Sequence, residues 1–247
     1  IKMDDLVKDF DAVFIGIGLG QVPMMEITGE HTEGVVDGLE FVEFTKVNKL
    51  DNIDHGNRIC VIGAGNTAID CATIARRLGA ERVTMIYRRS EAEMPAYHFE
   101  YEFALKEGVS FMFLTQPVEV LSKDGKVDGL KCVRMDLGTP DASGRRSPVA
   151  VPDSEFVVPC DMVIKAIGQI KPEHFLGMLK PYGIEPVKGY IKVDQDNRTA
   201  HPKIFAGGDC VRSHGEASTV MAVQDGKIAA RSITAALVGT ATALAKK

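Results

Sequence analysis

Three small residues, Gly63, Gly65 and Ala68, stand at the spacing of a phosphate-binding turn. Glycine at the first position can take a tight turn that a side chain disfavours. Glycine at the second lets the backbone approach a ligand closely, and the alanine keeps the following helix near its strand. The turn is completed by Ala64, Asn66 and Thr67. Free N–H groups and the positive end of a helix dipole face the same point, so the pattern predicts binding of a dinucleotide pyrophosphate.

The elements around this turn have the order that such a site requires. An apolar run, Ile59 to Ile62, precedes the turn, and a helical pattern follows it and ends at Gly79. A second apolar run covers Val83 to Tyr87. The sequence therefore predicts a strand–helix–strand unit. A structural glycine turn without a ligand is the alternative, and it does not require all three elements at these distances.

The second predicted strand is followed by Arg88 and Arg89, where dinucleotide folds normally carry an acid that binds the adenosine ribose. Guanidinium groups suit a 2′-phosphate because they donate bidentate, charge-assisted hydrogen bonds. We therefore expect NADP(H) rather than NAD(H). The alternative is a solvated, charged loop in which Glu91 or Glu93 pairs with the arginines.

Apolar runs that end in glycine, 11–18 and 161–168, predict two further buried strands. Gly16 and Gly18 do not form a second dinucleotide turn, because Gln21-Val22-Pro23 follows them instead of a helix. Patterns elsewhere predict a short helix within 34–46, a meander of strands at 118–121, 130–135 and 155–158, an exposed loop over 138–148, a strand over 204–209 and a long helix over 219–237.

The composition excludes several classes of function. The 247 residues carry a net charge of -5, which disfavours non-specific binding of nucleic acid. No apolar run reaches the length of a membrane span and no signal peptide is visible, so a cytoplasmic protein is expected. The five cysteines include no C-x-x-C pair, which favours buried free thiols. No residue is a convincing acid, base, nucleophile or metal ligand, so no catalytic or metal site is predicted.

Four stretches together resemble the pyridine-nucleotide-dependent flavoprotein family: 11–18, 63–68, 161–168 and 199–209. The stretches 87–89 and 93–96 resemble its glutamate synthase small-subunit branch, which includes the electron-entry part of dihydropyrimidine dehydrogenases. Residues 162–169 and 222–227 look closest to the pyrimidine-dehydrogenase members. The lack of a C-x-x-C pair argues against a disulfide reductase of the thioredoxin-reductase type.

This resemblance implies a second cofactor, FAD. It implies that Asp209 binds the ribityl chain, that Gly208 beside it also belongs to the cofactor site, and that a helix beginning at Thr219 and Val220 points its N-terminus at the flavin. Gly168 is implied to lie where two nucleotide domains meet. A plain strand-to-loop turn is the alternative at Gly208 and Asp209. Electrons are expected to leave through iron–sulfur clusters, held outside this sequence, to a larger catalytic subunit of the glutamate synthase or dihydropyrimidine dehydrogenase type.

The expected fold is α/β: a Rossmann-like, three-layer (β/β/α) NADP(H)-binding domain with an antiparallel meander, over 36–168. Residues 1–35 and 169–247 are expected to belong to a second, FAD-type domain. That domain's own G-x-G-x-x-G half is not found, so we expect a C-terminal fragment that binds FAD weakly or not at all. The expected activity is hydride transfer from NADPH to FAD. A non-catalytic dinucleotide-binding or regulatory module is the rival.

Overall fold

The computed structural model describes residues 2–47, 56–140, 144, 146–211 and 218–244. The strands are β1 (Val13–Ile15), β2 (Val35–Asp37), β3 (Arg58–Ile62), β4 (Arg82–Ile86), β5 (Ser110–Met112), β6 (Thr115–Lys123), β7 (Lys126–Pro140), β8 (Arg146–Ala150), β9 (Phe156–Val158), β10 (Met162–Lys165), β11 (Pro186–Val187), β12 (Tyr190–Ile191) and β13 (Ile204–Ala206). The helices are α1 (Met3–Asp9), α2 (Gly38–Val47), α3 (Asn66–Arg77), α4 (His98–Lys106), α5 (Glu173–Leu179) and α6 (Thr219–Leu244).

The chain forms two compact units, one of residues 21–169 and one of residues 1–20 with 170–247. The sequence predicts the first boundary at residue 35. The structure places it at residue 20, because β2 pairs with β10 and because Thr28 and Glu33 bridge to Glu119 and Lys126 of the meander. The stretch 21–35 is therefore part of the unit with the large sheet.

The unit of residues 21–169 contains a five-stranded parallel sheet in the order β2-β10-β3-β4-β5. Side chains alternate across it, as they must in a strand. In β3, Ile59 and Val61 pack with α2, α3 and α4, whereas Cys60 and Ile62 pack with the antiparallel strands β6, β7 and β9. The predicted α/β class, with a three-layer Rossmann-like domain and a meander, is confirmed.

Two local predictions in this unit can be compared with the structure. The short helix predicted within 34–46 is α2, and β2 precedes it because Val35 and Val36 pair with Val163 and Ile164 of β10. The segment 138–148 was expected to be an exposed loop. Strand β7 instead continues to Pro140 and pairs with β8, although residues 141–143 and 145 lie outside the described part of the chain.

A buried ion pair joins the edge of this unit to the end of β10. The ammonium of Lys165 lies 2.9 Å from Oε1 of Glu30, and the side chains are only 10% and 3% exposed. The carboxylate of Glu30 also accepts the backbone N–H groups of Met25 (2.7 Å) and Glu26 (2.8 Å). Glu26 has a φ of 59°, so Glu30 stabilises a backbone conformation that non-glycine residues rarely adopt.

The second unit contains the parallel pair β1 and β13, the hairpin β11–β12, and helices α1, α5 and α6. Its apolar cluster includes Ile15, Ile191 and Ile204, each at most 4% exposed. No helix in the described ranges is long and apolar enough to span a lipid bilayer.

Candidate functional site

The glycine turn between β3 and α3 is fixed by the strands on both sides of β3. Gly63 has a φ of 126°, and its N–H donates to the carbonyl of Ile86 in β4 (3.0 Å). A Cβ at Gly63 would lie 2.2 Å from the carbonyl oxygen of Ala166, which follows β10. Glycine is therefore required here by its positive φ and by the neighbouring chain, in addition to the tight turn that the sequence predicts.

The start of α3 is open. Gly65 is the residue before the helix, with extended φ and ψ of -87° and 176°, and no side chain caps the helix there. A Cβ at Gly65 would meet only Pro95, at 4.0 Å. The N–H groups of Asn66 and Thr67 open the helix and have no partner within it. This end of α3 therefore has the space and the donors that a pyrophosphate requires.

The first turns of α3 lie close to the sheet. Ala68 is fully buried, and so are Cys71, Ala72 and Ala75 farther along the same helix. Residues with side chains this small let the helix axis approach the strands. The predicted packing role of Ala68 agrees with this position, and Ala64 in the turn is also buried.

Residues 90–97 form a loop that folds back onto the glycine turn. The N–H of Ala96 donates to the carbonyl of Ala64 (3.1 Å), and the N–H of Tyr97 donates to Oδ1 of Asn66 (3.3 Å). These residues are not among the site residues that the sequence predicts. Pro95 sits beside Gly65, and in the sequence it belongs only to the stretch 93–96 that carries the family resemblance. The loop thus brings the end of β4 and the start of α3 into one site.

The two arginines after β4 differ in their surroundings. Arg88 is exposed, whereas Arg89 is only 8% exposed. The Nε atom of Arg89 is buried without a hydrogen-bond partner. Within the described ranges neither arginine forms an ion pair. A buried guanidinium without a carboxylate is unfavourable by itself and becomes favourable when an anion binds.

The nearby acids are engaged elsewhere. The carboxylate of Glu93 accepts the N–H (3.1 Å) and the hydroxyl of Ser90, and the hydroxyl bond holds the pKa of Glu93 below its usual range. Glu91 lies beside Tyr101, whose pKa is raised by burial and by this carboxylate. The alternative that Glu91 or Glu93 neutralises the arginines therefore has no support from the contacts.

Gly63, Arg88 and Gly168 follow the carboxyl ends of neighbouring parallel strands, β3, β4 and β10. Gly168 is exposed with a φ of 103°, and no atom lies within 4 Å of a Cβ placed there. Carboxyl ends of adjacent strands form the usual binding edge of an open α/β sheet. The structure therefore brings these predicted residues of this unit to one edge.

The turn after β13, in the other unit, is held by a side chain that is not among the predicted site residues. Asp225 of α6 is 5% exposed, and its Oδ2 accepts the N–H of Gly208 (2.8 Å). A Cβ at Gly207 would lie 2.7 Å from that of Asp225. Oδ1 of Asp225 is buried without a partner. Asp209 is half-buried beside this turn, and Gly208 has a φ of 76°.

Helix α6 begins at Thr219 and Val220, both exposed, and Val220 is 77% exposed. The segment 212–217 between Asp209 and this helix lies outside the described residues. The start of α6 and Asp209 both belong to the unit of residues 1–20 and 170–247.

All five cysteines are buried and free, as the sequence predicts. Burial raises the pKa of the Cys71 thiol and of the Cys132 thiol to about 12. Thiols with such pKa values are almost entirely protonated at neutral pH, which makes them poor nucleophiles.

Comparison with known proteins agrees with this geometry. A family model described as pyridine nucleotide-disulphide oxidoreductase matches residues 4–226. The chain is 43% identical over 236 residues to the NADP(+)-dependent formate dehydrogenase subunit beta of Moorella thermoacetica, covering 94% of this chain and 32% of that protein. It is 39% identical over 249 residues to the glutamate synthase (NADPH) small chain of Escherichia coli (strain K12), covering 94% and 52%. The chain thus spans about a third to a half of the length of these relatives.

Two solved structures share the fold. Mycobacterium tuberculosis FprA in complex with NADPH has a TM-score of 0.71 at 17% identity, covering 99% of this chain and 67% of that one. The thioredoxin reductase of T. acidophilum has a TM-score of 0.68 at 22% identity, covering 92% and 66%. The predicted resemblance to NADPH-linked flavoproteins, including the glutamate synthase small subunit, is confirmed, and the chain belongs to the pyridine nucleotide-disulphide oxidoreductase family.

Proposed function

We propose that this chain supplies the NADPH-binding part of a flavoprotein oxidoreductase that feeds electrons into a larger enzyme. The observation that carries the proposal is Arg89, a buried guanidinium without an anionic partner, which lies next to the exposed Arg88 and directly before the loop that contacts the glycine turn. The names of two relatives, an NADP(+)-dependent formate dehydrogenase subunit and an NADPH glutamate synthase subunit, support the choice of NADPH.

Two groups of residues in the unit of residues 21–169 bind different parts of NADPH. The N–H groups of Asn66 and Thr67 and the dipole of α3 bind the pyrophosphate, to which Gly63 and Gly65 give access. The guanidinium groups of Arg88 and Arg89 bind the 2′-phosphate, which NADH lacks. When bound, the nicotinamide supplies the hydride, and the protein contributes binding and orientation.

The other unit has features that fit part of a FAD site. Asp209 offers a half-buried carboxylate, Oδ1 of Asp225 is a buried acceptor without a partner, and α6 begins at the exposed residues Thr219 and Val220. A ribityl chain carries hydroxyl donors that suit such acceptors. Gly168 completes the proposed set of cofactor-binding residues, and it stands just before the chain leaves the unit of residues 21–169.

We expect the isolated chain to bind FAD weakly, because only one part of the FAD-type domain is identified. A measurement of flavin absorbance after incubation with FAD and gel filtration tests this. Less than one-tenth of stoichiometric flavin is the expected result. Retention of one FAD per chain would show that these residues suffice for the site.

The electrons that enter through NADPH are proposed to reach a larger catalytic subunit through FAD and through iron–sulfur clusters outside these residues. The partner is of the glutamate synthase large-chain type, which reduces an amide-derived imine. The alternative is a dihydropyrimidine dehydrogenase type, which reduces a pyrimidine ring. The rival from another class, a non-catalytic regulatory module, predicts no NADPH oxidation with an artificial acceptor even when the full-length protein holds FAD.

The arginines provide the direct test of cofactor choice. Arg88→Ala is expected to weaken NADPH binding about 10- to 100-fold, because each charge-assisted hydrogen bond contributes about 1.5–3 kcal/mol, and to change NADH binding less than about twofold. Arg89→Met is expected to weaken NADPH similarly without lowering stability, because it removes an unpaired buried charge. Isothermal titration with NADPH, NADH and 2′,5′-ADP measures the affinities, and thermal melting measures the stability.

Arg82→Ala is the matched control, since Arg82 is an exposed arginine at the opposite end of β4. It is expected to leave the affinity for all three ligands unchanged. Equal losses of NADPH and NADH in the Arg88 and Arg89 variants would mean that the arginines do not recognise the 2′-phosphate.

A further inference from the structure

Tyr87 and Ser90 flank the arginine pair and both bind the same residue, Glu93. The hydroxyl of Tyr87 donates to the backbone carbonyl of Glu93 (2.8 Å). The carboxylate of Glu93 accepts the N–H of Ser90 (3.1 Å) and its hydroxyl. The N–H of Glu93 donates back to the carbonyl of Ser90 (3.2 Å). Segment 87–93 is thus a loop closed by hydrogen bonds, and its sequence includes the two arginines.

The backbone of the arginine pair is also held from the sheet side. The N–H of Leu114 donates to the carbonyl of Arg89 (2.9 Å), and the N–H of Thr115 donates to the carbonyl of Tyr87 (3.0 Å). Arginine loses considerable side-chain freedom when it binds a ligand. A backbone fixed before binding lowers the remaining cost of ordering and raises affinity for an anion at that place.

The closed loop also holds the negative charge of Glu93 in a fixed place. Glu93 is only four or five residues from the arginines in sequence, yet its carboxylate is occupied by Ser90. The hydroxyl bond holds the pKa of Glu93 below its ordinary value, so the group is ionised at neutral pH. If released, this anion would compete with a phosphate for the guanidinium groups.

The residues that follow this closed loop reach the phosphate-binding turn, because the N–H of Ala96 donates to the carbonyl of Ala64 and the N–H of Tyr97 donates to Oδ1 of Asn66. The segment therefore sets the separation between the arginines and the start of α3. NADPH has to contact both places at once, whereas NADH contacts only the second.

We propose that Tyr87, Ser90 and Glu93 are positioning residues that set the preference for NADPH over NADH. They fix the backbone of Arg88 and Arg89, keep the Glu93 carboxylate away from the guanidinium groups, and hold the two phosphate subsites at a set distance. This inference rests on the proposed function.

The test uses the full 247-residue chain, titrated with NADPH, NADH and 2′,5′-ADP. Ser90→Ala is expected to weaken NADPH and 2′,5′-ADP about 5- to 20-fold, because it removes a bond to a charged group, and NADH less than about twofold. Ser90→Thr retains the hydroxyl and is expected to restore NADPH affinity to within about twofold of the wild type. Tyr87→Phe removes the hydroxyl bond to the carbonyl of Glu93 and is likewise expected to weaken NADPH and 2′,5′-ADP more than NADH.

Tyr182→Phe is the matched control, because it also removes a tyrosine hydroxyl bond, to Asp4 in the other unit. It is expected to leave all three affinities unchanged. Equal losses of NADPH and NADH in Ser90→Ala and Tyr87→Phe would mean a merely structural role and would overturn the inference. If the wild type prefers NADPH and both variants keep that preference, the inference is overturned but the proposed function is not. A wild-type chain without that preference would overturn the proposed function, and the inference with it.

Discussion

Replacing Gly63 with alanine is expected to destabilise the unit of residues 21–169 by at least about 3 kcal/mol. The new Cβ would lie 2.2 Å from the carbonyl oxygen of Ala166 and 2.9 Å from its carbonyl carbon. Neither atom can move cheaply, because the N–H of Ala166 is bonded to Ile62 (2.8 Å) within the sheet. The φ of 126° adds strain for any residue with a Cβ. Urea denaturation followed by circular dichroism measures the change.

Gly65→Ala is the matched control in the same turn. Its φ is negative, and the nearest atom to the new methyl group is Pro95 Cγ at 4.0 Å, so the fold can accept it. The loss of a favourable residue before the helix costs about 1 kcal/mol or less. The methyl group is expected to hinder the pyrophosphate and to weaken NADPH and NADH alike, by about tenfold. A stable Gly63→Ala variant, or a Gly65→Ala variant with unchanged affinity for both nucleotides, would contradict this division of roles.

The strand–helix–strand unit was predictable because its signals are local. Apolar runs, a glycine turn and a helix that ends before Gly79 each depend on neighbours in sequence. The structure places β3, α3 and β4 within a few residues of the expected positions. The class of the domain follows from the same signals, since strands alternating with helices give a parallel sheet.

The features that the sequence does not reveal depend on distant contacts. The burial of Arg89 follows from packing around β4, and nothing in the residues Tyr87-Arg88-Arg89-Ser90 distinguishes its exposure from that of Arg88. Asp225 was interpreted only as part of a resemblance, because its bond to Gly208 spans 17 residues. The strand pairing near 138–150 was missed because Gly, Ser, Asp and Pro are typical of loops.

The charges of Glu30 and Lys165 gave no sequence signal at all, since 135 residues separate them. Glu30→Gln is expected to lower the free energy of unfolding by about 3–5 kcal/mol, because it leaves the Lys165 ammonium buried without its partner. The amide would also place an N–H group near the N–H of Met25 or Glu26, both of which now donate to the carboxylate. The double variant Glu30→Gln with Lys165→Met is expected to recover part of the loss, because the orphaned charge is gone.

The same pair predicts a dependence on pH. Burial raises the pKa of Glu30, but the bonds from the Met25 N–H, the Lys165 ammonium and the Glu26 N–H outweigh it, so the pKa is lowered overall. A carboxyl group with a lowered pKa stabilises the fold above its unfolded pKa of about 4.3. That contribution disappears as the pH falls through the folded pKa. The difference in unfolding free energy between wild type and Glu30→Gln is therefore expected to be largest at neutral pH and to shrink below about pH 4.

Glu33→Gln separates the effect of burial from that of the ion pair. Glu33 lies 2.9 Å from the ammonium of Lys126, the same distance as in the buried pair, but these side chains are 70% and 67% exposed. An exposed pair contributes only about 0–1 kcal/mol, so this variant is expected to unfold close to wild type. Equal losses of unfolding free energy in Glu33→Gln and Glu30→Gln would show that burial does not determine how much an ion pair contributes to stability. Because Lys165 ends β10 next to β3, a selective loss in Glu30→Gln would show that this buried pair contributes to the stability of the sheet that carries the glycine turn.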